Sequence, residues 1–184
     1  MAPFVRYVGL AQQEWAAGQR RYDQPSRNHC WVFRISDMRH RHCTDTRMVE
    51  TLNRGKLGSL EDPVNRYDTP ASLLSAVAAG LFADTGKMEL AESNRLGAES
   101  VALTHGHPLA FLPGAMVAHL IRSSLRQPPK PLYTLVKEAL GALQTQFSRE
   151  YPREVSQITA LVEQAMSLAE QRTLVLRIHG LIIR

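Results

Sequence analysis

The sequence predicts an all-α fold, a single-domain helical bundle spanning residues 1–184, and three observations carry that prediction. Apolar residues recur every three or four positions through successive segments. Those segments begin and end at helix punctuation, such as Pro70, Pro108 and the run Arg126-Gln127-Pro128-Pro129-Lys130-Pro131. The composition is that of a chain with a core, since 44% of its 184 residues are hydrophobic and 21% charged, with no repeat or low-complexity tract.

In order along the chain, Phe4, Val5, Val8, Leu10, Ala11 and Trp15 predict an amphipathic helix ending near Gly18. Residues 22–28 read as loop, and Trp31 to Ile35 as a strand or an extended connection. Thr46 to Leu52 reads as a short helix stopped by Asn53 and Gly55. Thr69 is a good N-cap and Pro70 suits the first helical position, so Leu73, Leu74, Val77, Leu81 and Phe82 predict a helix to about Ala83. A further helix covers 88–103, and one at 108–125 is apolar on nearly every face, as a central helix would be. His119 on that helix reads as a hydrogen-bonded core histidine. Two more helices follow from Leu132 to Phe147 and from Val155 to Ala169. The last twelve residues, Thr173 to Arg184, are too apolar for a solvated tail and are expected to pack on the domain or on a partner.

The formal net charge of +5 permits an anionic partner without choosing one. The longest stretches free of Lys, Arg, Asp and Glu, Thr69 to Ala83 and Ser100 to Ile121, are broken by Pro, Gly, Ser or His, so no membrane span is expected. The first residues show no basic and then apolar leader, which makes the cytoplasm the default compartment. Cys30 and Cys43 read as thiols.

His29, Cys30, His40, His42 and Cys43 form the densest metal-capable cluster. Their spacing matches no paired-knuckle zinc pattern, and a basic connecting segment is the expected reading. Asp84-Thr85-Gly86-Lys87-Met88 imitates the end of a P-loop, but Leu81 stands where glycine is required and Met88 where Ser or Thr is required. The most informative segment is Thr104-His105-Gly106-His107-Pro108. There Gly106 permits a tight turn, and the first-turn N–H groups of a helix starting at Pro108 would make an anion site beside two imidazoles. The plainer alternative is that His105 and His107 cap that helix. No two Asp residues are adjacent or in Asp-x-Asp spacing, and no Ser or Cys sits in a nucleophile elbow.

The middle of the chain resembles the ADP-ribosylglycohydrolase family, which includes the dinitrogenase reductase-activating glycohydrolases. Gly58-Ser59-Leu60-Glu61-Asp62-Pro63-Val64-Asn65 matches that family's Gly-x-x-x-x-Pro-x-Asn, Gly80-Leu81 falls in register without a gap, and Thr104-His105-Gly106-His107-Pro108 matches its downstream segment. Trp31, Arg41, Thr46 and Gly55 fit one branch, so the resemblance runs over roughly residues 7–125. It implies a helical glycohydrolase core, magnesium as the family's cofactor, and ADP-ribose or an ADP-ribosylated protein as ligand.

This sequence departs from the family at the functional parts. Where the family has Lys-Gly-x-Gly-Gly-x-Met-Arg, it has Asp68-Thr69-Pro70-Ala71-Ser72-Leu73-Leu74-Ser75. The family's Thr-Asp-Asp metal segment would lie before Met1, and Thr173 to Arg184 stands where a Gly-Asp-x-Asp segment is expected. The expectation is therefore a pseudoenzyme-like binding or interaction module with no catalytic or metal residues of its own. Asn65, His105, Gly106 and His107 would anchor its ligand, and a protein partner or homo-oligomer is expected. The alternatives are an active hydrolase whose metal ligands come from another chain, and a basic nucleic-acid-binding helical protein. Dispersed Lys and Arg make nucleic acid the weakest of these.

Overall fold

The computed structural model describes residues 3–19, 30–35, 45–84, 88–126 and 128–178. Among them the fold is all-α, with seven α-helices and no strand. The helices are α1 (Pro3–Gly18), α2 (Thr46–Asn53), α3 (Leu74–Asp84), α4 (Leu90–Ala102), α5 (Pro108–Ser124), α6 (Leu132–Phe147) and α7 (Pro152–Ile178). No helix among the described residues is long and apolar enough to cross a membrane.

Helix α5 is the centre, as its composition predicts. It packs against α3, α4, α6 and α7, while α1 lies against α2 and α4. Phe111, Leu112, Ala115 and Met116 join Val101 and Ala102 of α4, Leu140, Leu143 and Phe147 of α6, and Val155 and Ile158 of α7 in one core. The α4–α5 crossing is set by glycine. A Cβ on Gly97 would meet the Gly114 carbonyl oxygen at 2.5 Å, and one on Gly114 would meet Val101 at 2.7 Å. The two backbones touch there, so any larger residue would force them apart.

Five expectations are corrected. Trp31–Arg34 is a 3₁₀ turn with Trp31 exposed, rather than a strand or an extended connection. Helix α3 begins at Leu74 after a separate 3₁₀ turn at Pro70–Ser72, and the Thr69 side chain does not cap it. Leu74, Leu81 and Phe82 are exposed, because α3 meets the bundle through small residues instead. Ala76 and Ala79 are fully buried, and a Cβ on Gly80 would meet Ile121 at 2.8 Å. Leucine side chains on that face would have held the helices apart. His119 is buried as expected, but neither ring nitrogen has a hydrogen-bond partner among the described residues. Finally, α7 runs on to Ile178, so the start of the apolar terminal run continues this helix. Residues 179–184 lie outside the described residues.

Candidate functional site

The site is built where the loop after α4 meets the segment before α3. Asn65 is its keystone. Its Nδ2 donates to the Thr104 carbonyl oxygen at 2.8 Å and to Thr51 Oγ1 at 3.2 Å. Its Oδ1 accepts from the backbone N–H of Gly106 at 3.0 Å and of Tyr67 at 3.1 Å. An amide side chain has two donor hydrogens and two acceptor lone pairs, so all four are spent inside the protein. Asn65 holds the 104–107 loop in place and keeps nothing for a ligand.

His105 is fully buried and lies behind the loop. Its Nδ1 is 3.0 Å from Thr104 Oγ1, and its Nε2 is 2.9 Å from Thr69 Oγ1. The Thr69 hydroxyl in turn donates to Asp45 Oδ2 at 3.4 Å. Because a carboxylate only accepts, the Thr69 proton points to Asp45, the Thr69 oxygen accepts from Nε2–H, and Nδ1 accepts from the Thr104 hydroxyl. Burial pushes the His105 ring below the ordinary histidine value. Asp45 and Asp68 pull it back, and Arg47 adds to the lowering. The Tyr67 ring stands edge-on to His105 at 6.0 Å, with the Arg47 guanidinium 5.7 Å over the same tyrosine.

Gly106 is fixed from both sides, since a Cβ there would run into the Asn65 carbonyl oxygen and the Pro63 ring. His107 caps α5, its Nδ1 accepting from the Leu109 N–H at 3.1 Å. Acceptance at Nδ1 leaves the proton on Nε2, which makes Nε2–H a donor. The cap, which the sequence offered as the plainer reading, also leaves no anion site of free N–H groups at the start of α5. Pro108 has no N–H, and Ala110 and Phe111 both donate to the His107 carbonyl oxygen, so the first turn of α5 holds no free N–H. Of the two histidines, His107 is a cap and His105 is not.

In front of this frame lies an open groove of about 280 Å³. Leu60, Pro63, Pro108 and Phe111 give it an apolar lining, Gly106 its backbone, and Arg66, His107, Tyr151 and Glu154 its polar groups. Phe111 and Tyr151 meet edge to face at 5.3 Å. Burial first, then Glu150 and Glu61, raises the Tyr151 phenol, so it is a donor throughout the neutral range. The structure therefore brings Gly106 and His107 to the groove and withdraws Asn65 and His105 behind it. Arg66, Tyr151 and Glu154 join them without a sequence signal, although Arg66 follows Asn65 directly.

The groove's described lining residues do not fit magnesium. That ion takes several hard oxygen ligands in near-octahedral geometry, and among the described residues Glu154 is the groove's one carboxylate. Nowhere among the described residues do three or more His, Cys, Asp or Glu side chains converge on a metal position. Of the suspected metal cluster, Cys30 is the described member. Burial and the neighbouring Glu14 carboxylate raise its thiol, while His29, His40, His42 and Cys43 lie outside the described residues, as does Thr85-Gly86-Lys87 of the P-loop-like segment.

A family model described as ADP-ribosylglycohydrolase matches residues 6–182 of the chain. No curated protein and no solved structure was found to match it.

Proposed function

The chain belongs to the ADP-ribosylglycohydrolase family, and from that premise we propose that it recognises the ADP-ribosyl group by binding rather than by turnover. The groove before α5 is its site. The observation that carries this reading is the groove's donor set. Among the described residues, Arg66, the Nε2–H of His107 and the Tyr151 hydroxyl offer three donors, one of them a permanent cation, against a single carboxylate, Glu154. Such a set suits a phosphate beside a ribose. Among the described residues it lacks the converging carboxylates with which metal-assisted hydrolysis is carried out.

Size narrows the reading. Sites that enclose a whole drug-sized ligand run from roughly 300 to 1,000 Å³. At about 280 Å³ the groove accommodates the ribose–phosphate end, and the remainder of an ADP-ribosyl group, or the protein that carries it, lies outside.

Titration calorimetry with ADP-ribose, with and without magnesium, tests the proposal alongside a release assay on ADP-ribosylated arginine and serine peptides. Binding indifferent to magnesium and no release are expected. Magnesium-dependent release would make the chain a working hydrolase, and absence of binding in both arms would remove the ligand from the account.

A further inference from the structure

Helix α7 is much longer than the neighbour it pairs with. α6 has 16 residues and α7 has 27, and at 1.5 Å per residue α7 outreaches it by about 16 Å. From 160 to 172 no residue of α7 is buried. Its bundle face is Val155, Ile158 and Val162. A second apolar line, Leu161, Ala165 and Leu168, lies about a quarter turn around the helix from that face, with Leu161 59% and Leu168 57% exposed.

The four-then-three spacing of that line is the seam spacing of a coiled coil. Glu154 lies seven residues before Leu161 and Arg172 four after Leu168, so both belong to the same line. They stand about five turns, or about 27 Å, apart on one face. Neither forms an ion pair within the described residues of its own chain.

We propose that two copies of this chain pair antiparallel through α7, about a two-fold axis level with Glu163. In that register Leu161 of each copy meets Ala165 of the other, and Arg172 of each copy meets Glu154 of the other, so an ion pair closes both ends of the seam. Charge decides the orientation. A parallel pair would set Glu154 against Glu154 and Arg172 against Arg172, whereas the antiparallel pair matches every charge on the line. Because Glu154 lines the groove, the second copy delivers its Arg172 to the groove's margin. The inference rests on α7 alone and does not require any ligand.

Sedimentation equilibrium on the full chain tests it, with circular dichroism to confirm that each variant is folded. The wild type is expected to dimerise. Leu161→Glu, at an exposed position, should give a folded monomer. Glu154→Arg and Arg172→Glu should each weaken the dimer about tenfold or more by juxtaposing like charges, and the doubly reversed chain should recover wild-type affinity. A wild-type monomer at high micromolar concentration, a dimer indifferent to Leu161→Glu, or charge reversals that fail to restore each other would overturn the proposal.

Discussion

The Nε2 of His105 and the Oγ1 of Thr69 lie 2.9 Å apart, across 36 residues of sequence. Thr69 sits in the segment Asp68 to Ser75 that stands in place of the family's glycine-rich loop, and its hydroxyl satisfies the buried histidine instead of capping α3. Thr69→Val keeps the shape and removes that acceptor, leaving a buried N–H unpaired at a cost of about 1–3 kcal/mol. Urea unfolding should register that loss. Affinity for ADP-ribose should change little if His105 serves the frame rather than the groove.

Two buried histidines make stability depend on pH in one direction. Burial lowers both His105 and His119 below the ordinary value of 6.5; Asp45 and Asp68 oppose the shift at His105, and Glu138 opposes it at His119. The unfolded chain then takes up protons first as pH falls, so stability is full above about pH 6.5 and declines as acid carries the chain below it, toward the folded values. Urea midpoints measured from neutral to mildly acidic pH should fall. His119→Leu, at a site with no hydrogen bond to lose among the described residues, should flatten that slope, and an unchanged slope would show that His119 protonates freely in the fold.

Much of the fold was legible because its helices carry their own signals. Pro108 after His-Gly-His starts α5 where expected, and the Pro-rich connector separates α5 from α6. The face of α3 was not legible, because leucines announce a core face more loudly than Ala76, Ala79 and Gly80 do, although only small residues allow the observed approach. At the site, the sequence identified Asn65, His105, Gly106 and His107 as a group. It could not reveal that Asn65 and His105 spend their hydrogen bonds internally, since saturation is a property of three-dimensional neighbours. Tyr151 and Glu154 reach the groove through the packing of α7 on α5, more than forty residues beyond His107, and no local pattern encodes that.

Gly106→Ala tests how tightly the loop is held. The added methyl meets the Asn65 carbonyl and Pro63, neither of which is a flexible side-chain end. Overpacking of this kind costs about 1–3 kcal/mol. Relief by moving the loop would also draw Gly106 N–H away from Asn65 Oδ1. Both thermal stability and ADP-ribose affinity should drop, and a variant that keeps both would show the loop to be compliant.

His107 has two separable duties, and a pair of variants divides them. His107→Ala removes the acceptor for the Leu109 N–H, a lost cap worth about 1 kcal/mol, and at the same time removes the Nε2–H donor from the groove. His107→Asn restores the cap, because asparagine is among the preferred N-cap residues and its side-chain oxygen reaches the N–H two residues on. Its amide is too short to replace the imidazole's far nitrogen. Stability should therefore recover from Ala to Asn while ADP-ribose affinity, read by calorimetry, stays reduced in both. If affinity recovers together with stability, His107 contributes to binding by holding the start of α5, and the donors that matter are Arg66 and Tyr151.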